Sequence, residues 1–237
     1  LLLERPFWIF RSKLIYSAVP DILSRPIGGQ SCYYGIGFEK REGGYILKAN
    51  RMEAFSDGVL AIIITIMVLE FKVPEGHNWQ ALIALGPKIV SYIFSFVYVG
   101  IYWNNHHHLL HMVRRMNGQL MWLNLLLLFW LSLVPFTTAW MGESRFAATP
   151  TALYGMILLF SAVSYRFLHL AILKQHDASF AAAIGNGWKV KLSPLFYLAS
   201  VGTAYISTWI SGFLIILVAV MWLVPDKRIE HALGDGK

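Results

Sequence analysis

An almost unbroken apolar run between charged ends, within Asn50 to Phe71, constrains this chain more than any other feature. After Gly58 the residues are Val, Leu, Ala, Ile, Thr and Met as far as Leu69, with Glu70 closing the run. As a helix, Arg51 to Glu70 is roughly 30 Å long, the thickness of a bilayer's hydrocarbon core. Ahead of the run sit Arg51, Glu53, Ser56 and Asp57. A carboxylate carried that far into a bilayer must be paired or watered. Composition agrees with a membrane setting: 57% of the residues are hydrophobic and 14% charged, against about 25% charged in soluble domains. Cys32 is the single cysteine, so no internal disulfide forms. The net charge of +7 lies between apolar spans, which reads as a topology signal and not as a nucleic-acid footprint.

Periodicity predicts an all-α polytopic protein with six transmembrane helices, at about 50–71, 81–103, 119–141, 151–173, 193–209 and 211–224. Pro135 predicts a kink in the third, with Thr137 and Thr138 bonding freed carbonyls. Ser211-Gly212 reads as the tight turn between the last two, and 178–192 as a connector. The domain expectation is an N-terminal extension of unclear role (1–47), a six-helix membrane domain (48–225) and a polar C-terminal tail (226–237). Lys40, Arg41, Lys48, Arg51, Arg114, Arg115, Lys174, Lys189, Lys191, Lys227 and Arg228 fall on one side of this topology. Lys72, Lys88 and Arg145 fall on the other. That bias predicts both termini in the cytoplasm.

Counting depth along the spans brings a polar layer together. Asp57 lies about 9 Å above the inner end of its helix. The mouth of the second span carries Trp103 and the histidines at 106, 107 and 108, the third carries Asn124, and the fourth carries Arg166. Asp57 with Arg166 is the expected buried ion pair, with Arg51 as the substitute partner. Three readings of this layer stay open: a structural clamp, a proton relay and an ion-path lining. His107 and His111, four apart, have the spacing of two metal ligands on one helical face. Histidines hydrogen-bonded at the inner membrane surface are the favoured reading. No nucleophile–base pair, P-loop or dinucleotide fingerprint is present, so the expectation is that the chain is not an enzyme.

A second face of the first helix carries Phe55, Val59, Ile62, Ile66 and Leu69 at spacings of 4, 3, 4 and 3, away from Ser56 and Asp57. This face is either ordinary core or lipid contact, or a symmetry-axis surface around an apolar pore.

Arg51 to Glu70, RMEAFSDGVLAIIITIMVLE, resembles the first helix of the potassium channels of the transmembrane protein 175 family. Trp103 with His107-His108, Asn124-Leu125 and Ser132 to Phe136 extend the resemblance over roughly residues 48–225. The resemblance implies a bacterial member: a multi-pass protein of the cell (inner) membrane, six helices per subunit. It implies a homotetramer with the first helix lining a central pore, K+ as the permeant ion, and no cofactor. It implies a constriction at Ile62 with further rings at Ile66 and Leu69, and a selectivity role for Thr65. Arg51, Phe55, Ser56, Asp57, Trp103, His107, His108, Asn124 and Arg166 would form the inner-side network. Membrane lipid is the expected surrounding, with no nucleic acid and no soluble partner. The alternative is a proton-coupled or secondary cation transporter working through Asp57, Arg166 and the histidines.

Overall fold

A computed structural model describes residues 40–41, 44–45, 49–74, 76–178 and 187–223. The expectations for residues 1–39, most of the 178–192 connector and the C-terminal tail lie outside the described residues. Within the extension, two-residue strands β1 (Lys40–Arg41) and β2 (Gly44–Tyr45) pair antiparallel, Lys40 opposite Tyr45. Everything else with regular structure is helical.

Helix α1 (Ala49–Leu69) runs unbroken, as a stretch without proline and with one glycine should. Its buried stripe is Met52, Ser56, Leu60, Ile63 and Met67, spaced 4, 4, 3 and 4, one face of a helix. The short α2 (Trp79–Ala84) begins at Asn78, whose side chain accepts from the Ala81 N–H at 3.0 Å. It gives way at Leu85 to α3 (Gly86–His111), where Pro87 occupies the first turn that tolerates it. The sequence suggests that this span ends near residue 103; the helix instead continues through the histidines to His111. Polar composition alone does not stop a helix, and no glycine or proline intervenes between Gly100 and His111.

Asn117 caps α4 (Gly118–Ser132), accepting from Leu120 N at 2.8 Å. At Pro135 the chain breaks into a second helix, α5 (Val134–Glu143). The Thr138 hydroxyl bonds the Val134 carbonyl at 2.7 Å and Thr137 lies 3.1 Å from the same oxygen, in the turn that opens α5. Arg145 and Phe146 both have positive φ (51° and 61°), and the Phe146 N–H closes back on Met141 O at 2.8 Å. That tight reversal leads into α6 (Ala148–Leu173). Helices α7 (Trp188–Thr203) and α8 (Thr208–Leu223) complete the order.

The turn between these two is not Ser211-Gly212. It lies at Ala204–Ser207, where Thr203 O accepts from both Ile206 N and Ser207 N and ends the helix. Ser211 and Gly212 continue α8, and Ser211 is fully buried. Ser211 packs inside the bundle, while Gly212 has open space beside it, so neither residue reverses the chain.

Asn50–Leu69, the α4–α5 stretch Gly118–Glu143, and α6 are each long and apolar enough to cross a membrane; α8 is apolar but shorter. At 16 residues, α7 and α8 each reach about 24 Å. The core sits between α3, α6, α7 and α8, where Tyr98 and Tyr154 meet edge to face and Tyr98 OH donates to the Ile215 carbonyl. Ser95 Oγ ties three helices together, 3.0 Å from Tyr154 OH on α6 and 2.7 Å from Thr138 Oγ1 on α5.

The α3–α5 contact is close enough to demand glycine. A Cβ on Gly142 would lie 2.5 Å from Ser91 Oγ and 2.9 Å from the Lys88 backbone. The Lys88–Glu143 ion pair at 2.9 Å sits beside it. We expect Gly142→Ala to separate these helices at a cost of about 1–3 kcal/mol. The check is a lower melting temperature than wild type in detergent, followed by the loss of monodisperse protein on heating.

Candidate pore helix and its polar anchor

Ser56 is fully buried on α1, and its hydroxyl donates to the Met52 carbonyl at 2.8 Å. Asn124 on α4 donates from Nδ2 to Ser56 Oγ at 2.9 Å. The Asn124 Oδ1 lies 2.7 Å from His106 Nε2 on α3, which must then carry the proton. One buried chain, Met52 carbonyl to Ser56 to Asn124 to His106, thus joins three helices. A carboxamide suits the middle position because it offers a donor and an acceptor in opposite directions.

A second set of contacts lies at the rim of the first. Trp103 Nε1 donates to Asp57 Oδ1 at 3.0 Å. One turn below, Glu53 accepts from His107 Nδ1 at 2.7 Å, and His107 Nε2 lies 3.1 Å from His111 Nε2. At the same end, Gln175 holds the α3–α4 loop through Arg114 N, Arg115 N and Arg115 O.

Among the residues expected in the inner network, Ser56, Asp57, Trp103, His107 and Asn124 are bound into these two sets of contacts. The Asp57–Arg166 ion pair is not formed: no ion pair among the described residues joins them, and Asp57 has the indole N–H as its partner. Arg166 stays partly exposed on α6, one turn from His169. Arg51 does not substitute for it. It is exposed and lines a groove with Phe55, Met116, Met121 and Asn124. Phe55 itself is 53% exposed. His108 touches His107 ring to ring, whereas His106 makes the buried bond. His106 belongs to the polar layer that depth counting predicts, although not to the network that the resemblance implies, and Glu53 has no role in either. Helical spacing carries a signal for Glu53, since Glu53, Ser56 and Asp57 fall within one turn and a half.

The opposite face of α1 is uncovered. Only 22% of its most apolar 18-residue stretch is buried, against 56% for α6. Ile62, Ile66 and Leu69 are 57%, 40% and 80% exposed. Thr65 is exposed beside them, its hydroxyl donating to the Ile62 carbonyl at 3.0 Å. An open groove of about 470 Å³ runs along this side, between Val59, Ile62 and Ile66 on α1 and Pro135 and Phe136 on α5.

Such a chain is an all-α, multi-pass membrane protein whose most apolar long helix is anchored on one face and bare on the other. The model of the family described as endosomal/lysosomal potassium channel TMEM175 matches residues 51–135. A potassium channel of Chryseobacterium sp. (strain P1-3) is 51% identical over 187 residues, 78% of this chain and 97% of that one. The crystal structure of a lysosomal potassium-selective channel TMEM175 homologue from Chamaesiphon minutus superposes with a TM-score of 0.65 at 30% identity. It covers 74% of this chain and 96% of its own. Mouse TMEM175, an endosomal/lysosomal proton channel, is 36% identical over 116 residues, 44% of this chain and 23% of that one. The chain belongs to the TMEM175 family. It is a bacterial, multi-pass inner-membrane protein whose work is transport and not catalysis.

Losing the middle of the buried chain should cost more than losing its rim. Asn124→Leu strands the buried His106 N–H, at about 1–3 kcal/mol, and removes the donor that Ser56 Oγ accepts. Trp103→Phe removes one partly exposed bond, worth about 1 kcal/mol. Thermal unfolding in one detergent should rank wild type, Trp103→Phe and Asn124→Leu in falling order.

Proposed function

We propose that this chain is a potassium channel that assembles as a homotetramer, with α1 of each subunit lining a central pore. The observation that carries the proposal is the bare apolar face of α1, the side opposite its polar anchor. A face of Ile62, Ile66 and Leu69 left open in one subunit is satisfied when four copies turn it to a shared axis. The potassium channel of Chryseobacterium and the potassium-selective homologue of Chamaesiphon minutus support the choice of ion. In this reading the six spans are α1, α2–α3, α4–α5, α6, α7 and α8, with both termini in the cytoplasm.

Conduction is passive. Rings of Ile62, Ile66 and Leu69 narrow the path, exclude large hydrated ions and close it by dewetting. Apolar rings favour no cation over another, so preference for K+ needs a polar group at the same depth. Thr65, one residue before Ile66, supplies the hydroxyl. The Ser56–Asn124–His106 chain holds α1 at the rotation that presents these rings. A secondary transporter would alternate its access around a site between broken helices; α1 is continuous through the membrane.

Ile62→Asn should enlarge the conductance and lower the preference for K+ over Na+. The measurement is K+ against Na+ flux in proteoliposomes, with single-channel currents in planar bilayers. Conductance and selectivity equal to wild type would remove Ile62 from the constriction. Flux carried by protons alone, read with an internal pH dye, would favour the proton activity of the mouse relative instead.

A further inference from the structure

Glu53, His107 and His111 stand apart from the buried anchor. They form a separate cluster at the polar end of α1, where α1 meets the last turn of α3. Their ligand-type atoms lie within 4.8 Å of one another. His107 Nε2 faces His111 Nε2 at 3.1 Å, and Glu53 Oε1 lies 3.6 Å from His111 Nε2. In tetrahedral coordination with metal–nitrogen distances of about 2.0–2.1 Å, neighbouring donor atoms are about 3.3–3.4 Å apart. These two separations bracket that edge; Glu53 Oε1 bonds the opposite nitrogen of His107, Nδ1, at 2.7 Å, so its carboxylate leaves that bond to complete the site. The four-residue spacing on one helix brings the two imidazoles to one face, and the rigid α3 backbone fixes their separation.

We propose that Glu53, His107 and His111 bind a divalent transition-metal ion of the zinc class and so cross-link α1 to α3. Two imidazoles and one carboxylate are the donor set of an open four-coordinate zinc site, with water in the fourth position. Two nitrogens among three donors disfavour Mg2+ and Ca2+, which take oxygen ligands. Without metal, the facing ring nitrogens share one proton, His111 Nε2–H donating to His107 Nε2 while His107 Nδ1–H donates to Glu53. Binding moves the His111 proton from Nε2 to Nδ1, so both imidazoles stay neutral and both Nε2 lone pairs are offered to the ion. Glu53 is the only α1 residue of the three, so the ion ties the anchored helix to α3 one turn away from the Asp57–Trp103 bond. The site requires only the packing of α1 on α3. It stands or falls separately from the conduction reading.

The test uses purified full-chain protein stripped with a chelator. Its unfolding temperature is followed while ZnCl2 or MgCl2 is added, and its visible spectrum while Co2+ is added. The expected result is a zinc-specific rise in unfolding temperature together with the intense absorption of four-coordinate Co2+. His111→Ala is the informative variant, because its side chain is 52% exposed. It should bind zinc at least tenfold more weakly and lose the Co2+ absorption, while His77→Ala behaves as wild type. Glu53→Gln should weaken zinc at least tenfold. The absence of a zinc-specific shift in wild type, or the same shift in His111→Ala, overturns the proposal.

Discussion

The carboxamide of Asn124 is the interaction on which the arrangement of α1 depends. In a bilayer the apolar surface of a helix gains nothing by facing protein over lipid, so hydrophobicity does not choose a helix's rotation. Both faces of α1 are apolar: Leu60, Ile63 and Met67 on one, Ile62, Ile66 and Leu69 on the other. Ser56 distinguishes them. With its hydroxyl between the Met52 carbonyl and the Asn124 amide, one rotation is satisfied. A turn of about 100° per residue position would carry that hydroxyl to the other face and leave the Asn124 Nδ2 donor without its acceptor.

The half of the molecule away from Ser56 uses a different device. There α3 and α5 are held by close approach at Gly142 and by Lys88–Glu143. On this side Met67 is buried on α1 and Phe71, just past its end, meets Tyr92 edge to face; among the described residues no polar chain there compares with that at Ser56. The helix is therefore pinned near its polar end and held by dispersion contacts near its other end. Interhelical hydrogen bonds in membranes average only about 0.6 kcal/mol, so the value of the anchor lies in what it forbids and less in what it contributes.

Much of this was legible in the chain. The first span, the polar layer at one depth and the two faces of α1 follow from length, charge bias and 3.6-residue periodicity, and the structure has Ser56, Asn124 and the histidine helix meeting at that depth. Depth counting places residues along the membrane normal but not around it. For that reason Asp57 was assigned to Arg166 at a matching height, while the actual partner is the Trp103 indole. Three adjacent histidines are equivalent in depth as well; which of them is buried depends on an angle of about 100° per residue that only packing settles. The Ser211-Gly212 turn failed for another reason. Serine and glycine often mark reversals, but here both lie within a continuous helix, Ser211 on its buried face and Gly212 beside open space.

The polar residues on α1 divide by face and by depth. Ser56 and Asp57 look to α4 and α3, Glu53 looks to the end of α3, and none lies on the stripe of Ile62, Ile66 and Leu69. A charged group on that stripe would hydrate it and abolish any closure by dewetting. Keeping the carboxylates off the stripe yet within a turn and a half of one another satisfies two requirements with one helix. The helix is held by groups that fix its rotation, and its open face is left apolar.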